Sequence, residues 1–255
     1  MDLLSAKRLS RKFGGLWALY GVSFAVREGE IAGVIGPNGA GKTTLFNCLS
    51  GLDYATEGGI LHRGHDITRL TPHQVVKRGI VRTFQTTRVF KRLTVRENVM
   101  VGLHLHSRSN LLVDMIRLPG AVREDRREAE EAMTLLEAVR LADQADKPAD
   151  ELTLSQARRM ELARALATDP ELLLLDEPGA GLDEQERDEL GALLRDVHNR
   201  GVTLMVIEHD IGFMVNLCTR IIVLNYGKVI ASGTPLEIQQ DKQVLEAYLG
   251  EEDAD

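Results

Sequence analysis

The feature that most constrains this chain is a glycine-rich octet at residues 36–43. It reads Gly-Pro-Asn-Gly-Ala-Gly-Lys-Thr and directly follows the apolar segment 31–35. The octet fits the pattern G-x-x-x-x-G-K-[ST], in which glycines let successive backbone N–H groups turn towards an anion. A strand before this pattern and a helix after it are typical of a nucleotide phosphate loop. The segment therefore predicts a phosphate-binding α/β fold.

The residue types of this loop predict how phosphate would be bound. Lys42 is expected to reach the β- and γ-phosphates, and the Thr43 hydroxyl is expected to bind Mg²⁺. The helix that follows adds the positive end of its dipole. The predicted nucleotide-binding residues are Gly36, Pro37, Asn38, Gly39, Ala40, Gly41, Lys42, Thr43 and Thr44.

Composition and charge argue against several other classes of protein. The 255 residues carry a net charge of −7, which disfavours nucleic-acid binding as the main task. No apolar run approaches the roughly 18–20 residues that cross a bilayer, and the N-terminus has no signal-peptide pattern, so a cytoplasmic protein is expected. Cys48 and Cys218 lie outside any C-x-x-C motif, and His104 and His106 lack further ligands at zinc spacing. Core cysteines without a zinc site are therefore expected.

Hydrophobic patterns divide the chain into strands and helices. Residues 16–35 predict a strand, a turn and a second strand, and the apolar runs 172–175 and 202–207 predict buried parallel strands. From about residue 94 to 160 the periodicity is helical, which predicts a helical insertion. The remaining predicted segments are turns at 51–64, a short helix at 71–79, a strand at 80–85, a closing hairpin at 221–234 and a disordered tail at 251–255.

Polar residues follow the predicted core strands. Asp176 ends one strand, where a carboxylate can hold Mg²⁺ through water, and Glu177 beside it is a candidate general base. His209 follows the next strand and can contact the γ-phosphate, while Gln85 can sense the metal and the water. Taken singly, such residues are more typical of solvated turns or strand ends. Together with the phosphate loop, they predict a site of ATP hydrolysis at the carboxyl ends of the strands.

With these motifs in order, the chain resembles the ATP-binding cassette family over essentially its whole length. Residues 36–43 resemble the Walker A motif, and residues 172–178 resemble Walker B. The resemblance implies ATP and Mg²⁺ as ligands and a P-loop (RecA-like) α/β core with an N-terminal antiparallel β subdomain. It assigns Gln85 to the Q-loop and the metal, Asp183 to the D-loop, His209 to the switch histidine, Glu177 to the catalytic base and Phe13 to adenine stacking.

This architecture predicts one domain over residues 1–255 with a helical subdomain inserted into it. The α/β core is expected at residues 1–85 and 161–235, and the helical subdomain is expected at residues 86–160. Residues 236–255 are expected to form a C-terminal helix and an acidic tail.

Longer stretches resemble the cassettes of branched-chain amino acid importers, notably residues 13–19, 79–99 and 246–251. This likeness implies two cassettes that close head to tail on two ATP molecules. They would drive two membrane permeases from the inner face of the membrane, with a periplasmic solute-binding protein acting indirectly. Cassettes for urea, amides or aromatic acids, and lipid exporters, remain alternatives. A soluble cassette protein of translation or DNA repair is disfavoured, since the insertion is short and the net charge is negative.

The signature loop departs from the family pattern Leu-Ser-Gly-Gly-Gln. Residues 152–156 read Leu-Thr-Leu-Ser-Gln, and Thr153, Ser155 and Gln156 are expected to face the partner's nucleotide. If position 155 requires φ > 0, Ser155 costs about 1–2 kcal/mol, and a lost hydrogen bond costs about 1.5–3 kcal/mol more. We therefore hypothesise a heterodimer in which a second cassette supplies an intact signature. The alternatives are a loop that tolerates Ser155 and a nucleotide-binding subunit with reduced turnover.

Overall fold

The structure, a computed structural model, describes residues 1–83, 89–103 and 119–252. The chain divides into two compact units, one formed by residues 1–82 and 171–255 and the other by residues 83–170. All ten strands of the described residues lie in the first unit, which we call the sheet unit. The second unit contains helices and short turns, and we call it the helical unit.

The boundary between these units differs from the predicted one. The sequence predicted that the α/β core would resume at residue 161, but this position falls inside the helix Leu154–Leu166. The whole helix belongs to the helical unit, and the sheet unit resumes at Glu171. The reason is that continuous backbone hydrogen bonds make a helix one rigid element, so a boundary falls in the connection after it.

The sheet unit contains two sheets. The first is antiparallel, in the order β2-β1-β4-β5, and confirms the predicted N-terminal β subdomain. The second has the order β10-β9-β3-β8-β7-β6, and its strands run parallel except β10, which pairs antiparallel with β9. The strands are β1 Asp2–Phe13, β2 Leu16–Arg27, β3 Ile31–Ile35, β4 Glu57–His62, β5 His65–Asp66, β6 Ile80–Arg82, β7 Leu172–Asp176, β8 Thr203–Ile207, β9 Arg220–Asn225 and β10 Lys228–Gly233.

Strand β4 corrects the prediction that residues 51–64 form turns. Ile60 of this strand is buried, and the strand pairs antiparallel with β1. Gly58 has φ +79, and a Cβ there would meet the Arg8 carbonyl oxygen at 2.2 Å. Glycine at this position therefore allows close approach of two strands, although from sequence it resembled a turn residue. The closing hairpin is confirmed, with Tyr226 and Gly227 at positive φ in its turn.

Helices cover the sheet and connect its strands. The short helix predicted at 71–79 is present, and Thr71 forms a capping box with Gln74. The C-terminal helix reaches Glu252, so the disorder predicted for residues 251–255 is wrong for 251 and 252, and 253–255 lie outside the described residues. The helices are α1 Lys42–Leu49, α2 Pro72–Val76, α3 Val95–Leu103, α4 Pro119–Ala138, α5 Leu154–Leu166, α6 Glu184–Asn199, α7 Ile211–Leu217, α8 Pro235–Gln240 and α9 Lys242–Glu252.

The helical unit packs α3, α4 and α5 together, with two short 3-10 turns between α4 and α5. Ala132 and Leu136 lie on the buried face of α4, and Val139 just after the helix is buried too, which is the spacing typical of an amphipathic helix. A Cβ at Gly102 of α3 would meet the Arg164 carbonyl oxygen at 2.4 Å, so glycine allows α3 to approach α5 closely.

The parallel sheet brings the carboxyl ends of its central strands to one edge. Strand β3 lies between β8 and β9, and β7 lies between β8 and β6. In the strand register, Ile207 lies opposite both Val34 and Asp176, so three neighbouring strands end at the same level. The loops that follow them meet there, which is where ligands bind in open α/β sheets.

Candidate active site

The loop between β3 and α1 has the conformation that its glycines predict. Gly36 has φ +151 and Gly41 has φ +103. A Cβ at Gly36 would lie 2.0 Å from the Leu224 carbonyl oxygen, and one at Gly41 would lie 2.5 Å from the Ala18 carbonyl oxygen. Both positions therefore require glycine for reasons of space and of backbone conformation.

Lys42 opens α1 and directs its amino group back into this loop. Its side chain is buried, and Nζ donates hydrogen bonds to the carbonyl oxygens of Gly36 at 2.6 Å and Pro37 at 2.9 Å. Gly41 is the N-cap and supplies no side-chain acceptor, so the helix's first N–H groups face the loop without a side-chain cap. A charged amine and a helix N-terminus at one loop form a cradle for phosphate.

The β9–β10 turn holds the phosphate loop from the side, which the sequence did not predict. The Gly227 N–H donates to the Ala40 carbonyl oxygen at 3.0 Å, and the Tyr20 N–H donates to the Gly227 carbonyl oxygen at 2.8 Å. A Cβ at Gly227 would meet the Ala18 carbonyl oxygen at 2.7 Å. The turn thus links the loop to strand β2 through backbone contacts that depend on glycine.

Asp176 lies at the end of β7 and is almost fully buried. Its Oδ2 accepts a hydrogen bond from Nη2 of Arg82 at 2.5 Å, and the two side chains are 3% and 7% exposed. Arg82 also donates from Nη1 to the Oδ1 of Asn47 on α1 at 2.7 Å. The sequence predicted Asp176 as a metal ligand but overlooked Arg82, whose partner is 94 residues away along the chain.

Glu177 and His209 come together at the ends of β7 and β8. His209 Nε2 lies 2.6 Å from Glu177 Oε1, and the side chains are 48% and 15% exposed. Glu177 has φ +49, which is unusual for a residue with a side chain and is held by a hydrogen bond from its N–H to the Ile207 carbonyl oxygen. A strained backbone at a carboxylate residue whose side chain contacts a half-exposed imidazole is typical of a functional site.

Glu208 is a third acidic group at this edge that sequence reasoning overlooked. Its carboxylate is buried and accepts hydrogen bonds from the Gly179 N–H at 2.5 Å and the His209 N–H at 3.2 Å. Burial raises the pKa of Glu208, and the two backbone donors oppose that rise. Glu208 therefore ties the turn after Glu177 to the backbone of His209, and its position beside the histidine was the available signal.

The roles of the other predicted site residues remain predictions. Phe13 ends β1 with its ring half exposed and the Arg11 guanidinium 4.5 Å from the ring centre. Asp183 is the N-cap of α6, where its Oδ1 accepts from the Glu186 N–H at 2.8 Å. Gln85 lies outside the described residues, as do His104 and His106.

The signature loop lies in the helical unit and begins helix α5. Thr153 is the N-cap and forms a capping box with Gln156. Ser155 is the second residue of the helix, is buried, and is not among the residues at positive φ. The strain proposed for Ser155 is therefore wrong, because helical backbone has negative φ and accepts any L-residue. The backbone N–H of Ser155 lies in the first turn of the helix, where N–H groups have no acceptor within the helix.

The residues of the sheet unit fit ATP and Mg²⁺. The glycine cradle with Lys42 fits phosphate, and Mg²⁺ prefers oxygen ligands such as the Thr43 hydroxyl and the Asp176 carboxylate, together with phosphate oxygens and water. Among the described residues, no cluster of three or more His, Cys, Asp or Glu side chains forms a separate metal site.

Comparison with known proteins identifies the family. The family model described as "ABC transporter" matches residues 19–180. The chain belongs to the ABC transporter family. A second model, "Branched-chain amino acid ATP-binding cassette transporter", matches residues 228–254 of this cassette.

Curated relatives match the ABC cassette over nearly its full length. It is 43% identical to the high-affinity branched-chain amino acid transport ATP-binding protein BraF of Pseudomonas aeruginosa, over 98% of each chain. It is 41% identical to the corresponding LivG of Salmonella typhimurium, also over 98% of each. The lipopolysaccharide export system ATP-binding protein LptB of Haemophilus influenzae is 35% identical over 99% of each.

Solved structures confirm the cassette fold. An ATP-binding cassette of an ABC transporter in its ADP conformation superposes with a TM-score of 0.85 at 32% identity, covering 98% of this chain and 99% of that one. The α/β P-loop core and the N-terminal antiparallel sheet are thus those of an ABC ATPase. In the described part of this cassette, no helix has the length and apolar character needed to span a membrane.

Proposed function

We propose that this cassette is the ATP-hydrolysing subunit of a membrane importer for branched-chain or related amino acids. The observation that carries the proposal is the Glu177–His209 contact at the strand ends beside the phosphate loop, since it joins a candidate base to a candidate γ-phosphate sensor. The solute class is supported by the similarity to BraF and LivG and by the branched-chain model matched at residues 228–254.

ATP binding follows from the loop. The backbone N–H groups of the loop at residues 38–43 would bind the β- and γ-phosphates, and the Lys42 Nζ, which now donates to the loop carbonyls, would donate to phosphate oxygens. Thr43 and Asp176 would hold Mg²⁺, the first directly and the second through water. The metal neutralises charge on the β- and γ-phosphates when bound.

Hydrolysis requires a base and a group that positions it. Glu177 accepts the proton of the attacking water at its carboxylate, a bond forms from the water oxygen to the γ-phosphorus, and the bond to the bridging oxygen breaks. His209 Nε2, 2.6 Å from Glu177 Oε1, would hold the carboxylate in place, and on leaving that contact it would be able to contact the γ-phosphate. Glu208 holds the backbone of both neighbouring turns in place.

The cassette acts in an assembly. We propose a head-to-tail dimer with a second cassette that is a distinct chain, bound to two permeases on the cytoplasmic face of the membrane, with a periplasmic solute-binding protein delivering the solute. The heterodimer is supported by the side chains of Leu154, which is 44% exposed, and of Ser155 at positions where the signature has glycines. Because Ser155 carries no backbone strain, this support is weaker than the sequence alone indicated.

The experiment is purification of the cassette with the permeases and any second cassette encoded beside it, followed by uptake into vesicles. The expected result is uptake of leucine, together with stimulation of ATP hydrolysis by leucine and its binding protein. Urea, phenylalanine and lipopolysaccharide serve as probes of the alternative transporters, among which the exporter relative LptB is less similar to this chain than BraF is. Failure to copurify with any permease contradicts the proposal, and fast hydrolysis by the cassette alone contradicts the heterodimer.

A further inference from the structure

A buried ion pair at the ends of β6 and β7 joins Asp176, the proposed magnesium ligand, to Arg82, which has no role in the proposed mechanism. Arg82 is the last residue of β6 and Asp176 the last of β7, and Arg82 lies opposite Leu174 in this parallel pair. The 2.5 Å contact between Arg82 Nη2 and Asp176 Oδ2 is sealed from solvent on both sides. A buried ion pair gains little net stability over apolar residues of similar shape, so its presence beside a metal-binding carboxylate indicates a further purpose.

The guanidinium of Arg82 is fixed by more than the carboxylate. Its second arm, Nη1, donates to Asn47 Oδ1 at 2.7 Å and approaches Ser50 Oγ at 3.4 Å, both at α1 or its end. The guanidinium carbon also lies 5.8 Å from the centre of the Phe46 ring. A planar fork can hold a strand carboxylate and a helix amide at the same time, and the single nitrogen of lysine cannot reproduce that geometry.

This geometry decides which carboxylate oxygen faces the metal. Arg82 engages Oδ2 of Asp176, and within the described ranges of the chain no donor contacts Oδ1. A carboxylate held at one oxygen cannot rotate freely, so Oδ1 remains directed to one place. Hydrogen bonds to a metal ligand from outside the coordination shell commonly set its orientation in this way.

We propose that Arg82 is a positioning residue for the magnesium site of this cassette. It presents Oδ1 of Asp176 to the water shell of the metal, and through Asn47 it couples that carboxylate to the helix that carries the phosphate loop. The inference rests on the proposed function, because the ligand is a nucleotide with Mg²⁺.

The test is equilibrium binding of ADP to the full chain, by calorimetry, in excess Mg²⁺ and in EDTA. The ratio of the two affinities is the magnesium-dependent gain. Arg82→Lys keeps the charge and loses the fork, so this gain is expected to fall about tenfold while the affinity in EDTA stays within about twofold of the wild type. Asn47→Ala, which releases the second arm, is expected to lower the gain in the same direction by a smaller factor.

A matched control lies at the amino ends of two other strands of the same sheet, β9 and β3. Arg220 Nε contacts Glu30 Oε1 at 2.6 Å, a second largely buried pair that joins the start of β9 to the residue before β3. Arg220→Lys is expected to lower the thermal midpoint and to leave the magnesium-dependent gain unchanged.

Three outcomes contradict the inference. One is an unchanged gain in both Arg82→Lys and Asn47→Ala. Another is a fall of the magnesium-dependent gain in Arg220→Lys that equals the fall in Arg82→Lys, since the effect would then come from general loosening of the sheet. The third is absence of ADP binding by the wild type under both conditions, which overturns the proposed function as well and is thereby distinguished from the first two.

Discussion

Two acid–base pairs lie at neighbouring strand ends of the sheet unit, and they differ in their surroundings. Arg82–Asp176 joins β6 to β7 at 2.5 Å with both side chains under 10% exposed. His209–Glu177 spans the ends of β8 and β7 at 2.6 Å with the histidine half exposed. The two pairs therefore have similar distances but different electrostatic environments. The Arg82–Asp176 pair is sealed in the protein, and the His209–Glu177 pair is open to water and ligand.

This difference indicates a division of labour. Removing one partner of a sealed pair lowers the free energy of unfolding strongly, because the other partner is left as an uncompensated buried charge. An open pair contributes little to stability, because water screens it and replaces its contacts. Arg82–Asp176 is thus suited to holding a metal ligand in place, and His209–Glu177 is suited to exchanging protons and contacts with a bound nucleotide.

The largest effect is expected at the open pair, from Glu177→Gln. Removing the base should lower ATP turnover of the assembled cassettes by a factor of about 10²–10⁴, while ATP binding is retained. Turnover and binding of a fluorescent ATP analogue, measured on the same preparation, check this. Turnover within a few-fold of the wild type would assign the base to another residue.

The sealed pair is broken by Arg82→Met. This change leaves Asp176 buried without its counter-charge, so the free energy of unfolding is expected to fall by about 3–5 kcal/mol in denaturant titration. The double variant Arg82→Met with Asp176→Asn should recover most of the loss, since no charge is then buried. A loss of unfolding free energy below about 1 kcal/mol for the single variant would mean that water screens this pair as it screens an exposed one.

The substitution Ser155→Gly tests whether the signature loop, rather than either of the two pairs, limits the rate of ATP turnover. Because the serine is helical and unstrained, turnover of the cassette alone should rise by no more than about tenfold, the effect of roughly 1.4 kcal/mol. Steady-state ATPase assays of the purified chain measure this. A hundredfold rise would restore the strong form of the heterodimer hypothesis.

The smallest effect concerns Glu208, which is buried like Asp176 but accepts from backbone N–H groups rather than from arginine. Its raised pKa means that the folded state holds the proton more tightly than the unfolded state does. Stability from this group is therefore full at low pH and is lost as the pH rises above the ordinary glutamate value, through the folded pKa.

Glu208→Gln removes that titration and keeps an acceptor for the Gly179 N–H. Relative to the wild type, the variant should gain stability as the pH rises above the ordinary glutamate value. Denaturant titrations at several pH values test this. Glu28→Gln is the control of opposite sign, because Arg63 lowers the pKa of Glu28. Parallel pH profiles for the wild type and Glu208→Gln would contradict the account.

The phosphate loop and the strand-end acids were predictable because their signals are local in the sequence. Arg82 was not, since its partner lies 94 residues away and only the strand order brings the two together. For Glu208 the one local signal was its position beside His209, because its other partner, Gly179, lies 29 residues away. Strand β4 was hidden by Gly58 and Gly59, of which Gly58 allows the backbone of β4 to approach β1 closely. The helical state of Ser155 was predictable in principle, because Thr-x-x-Gln at residues 153–156 is a capping box and places Ser155 inside the helix.

The division of labour between the two pairs is tested most directly by His209→Ala, with unfolding and turnover measured on one preparation. The account predicts a free energy of unfolding within about 1 kcal/mol of the wild type and turnover lower by about a hundredfold or more. A stability loss of about 3 kcal/mol with unchanged turnover would contradict it, because the open pair would then behave as the sealed pair is expected to behave.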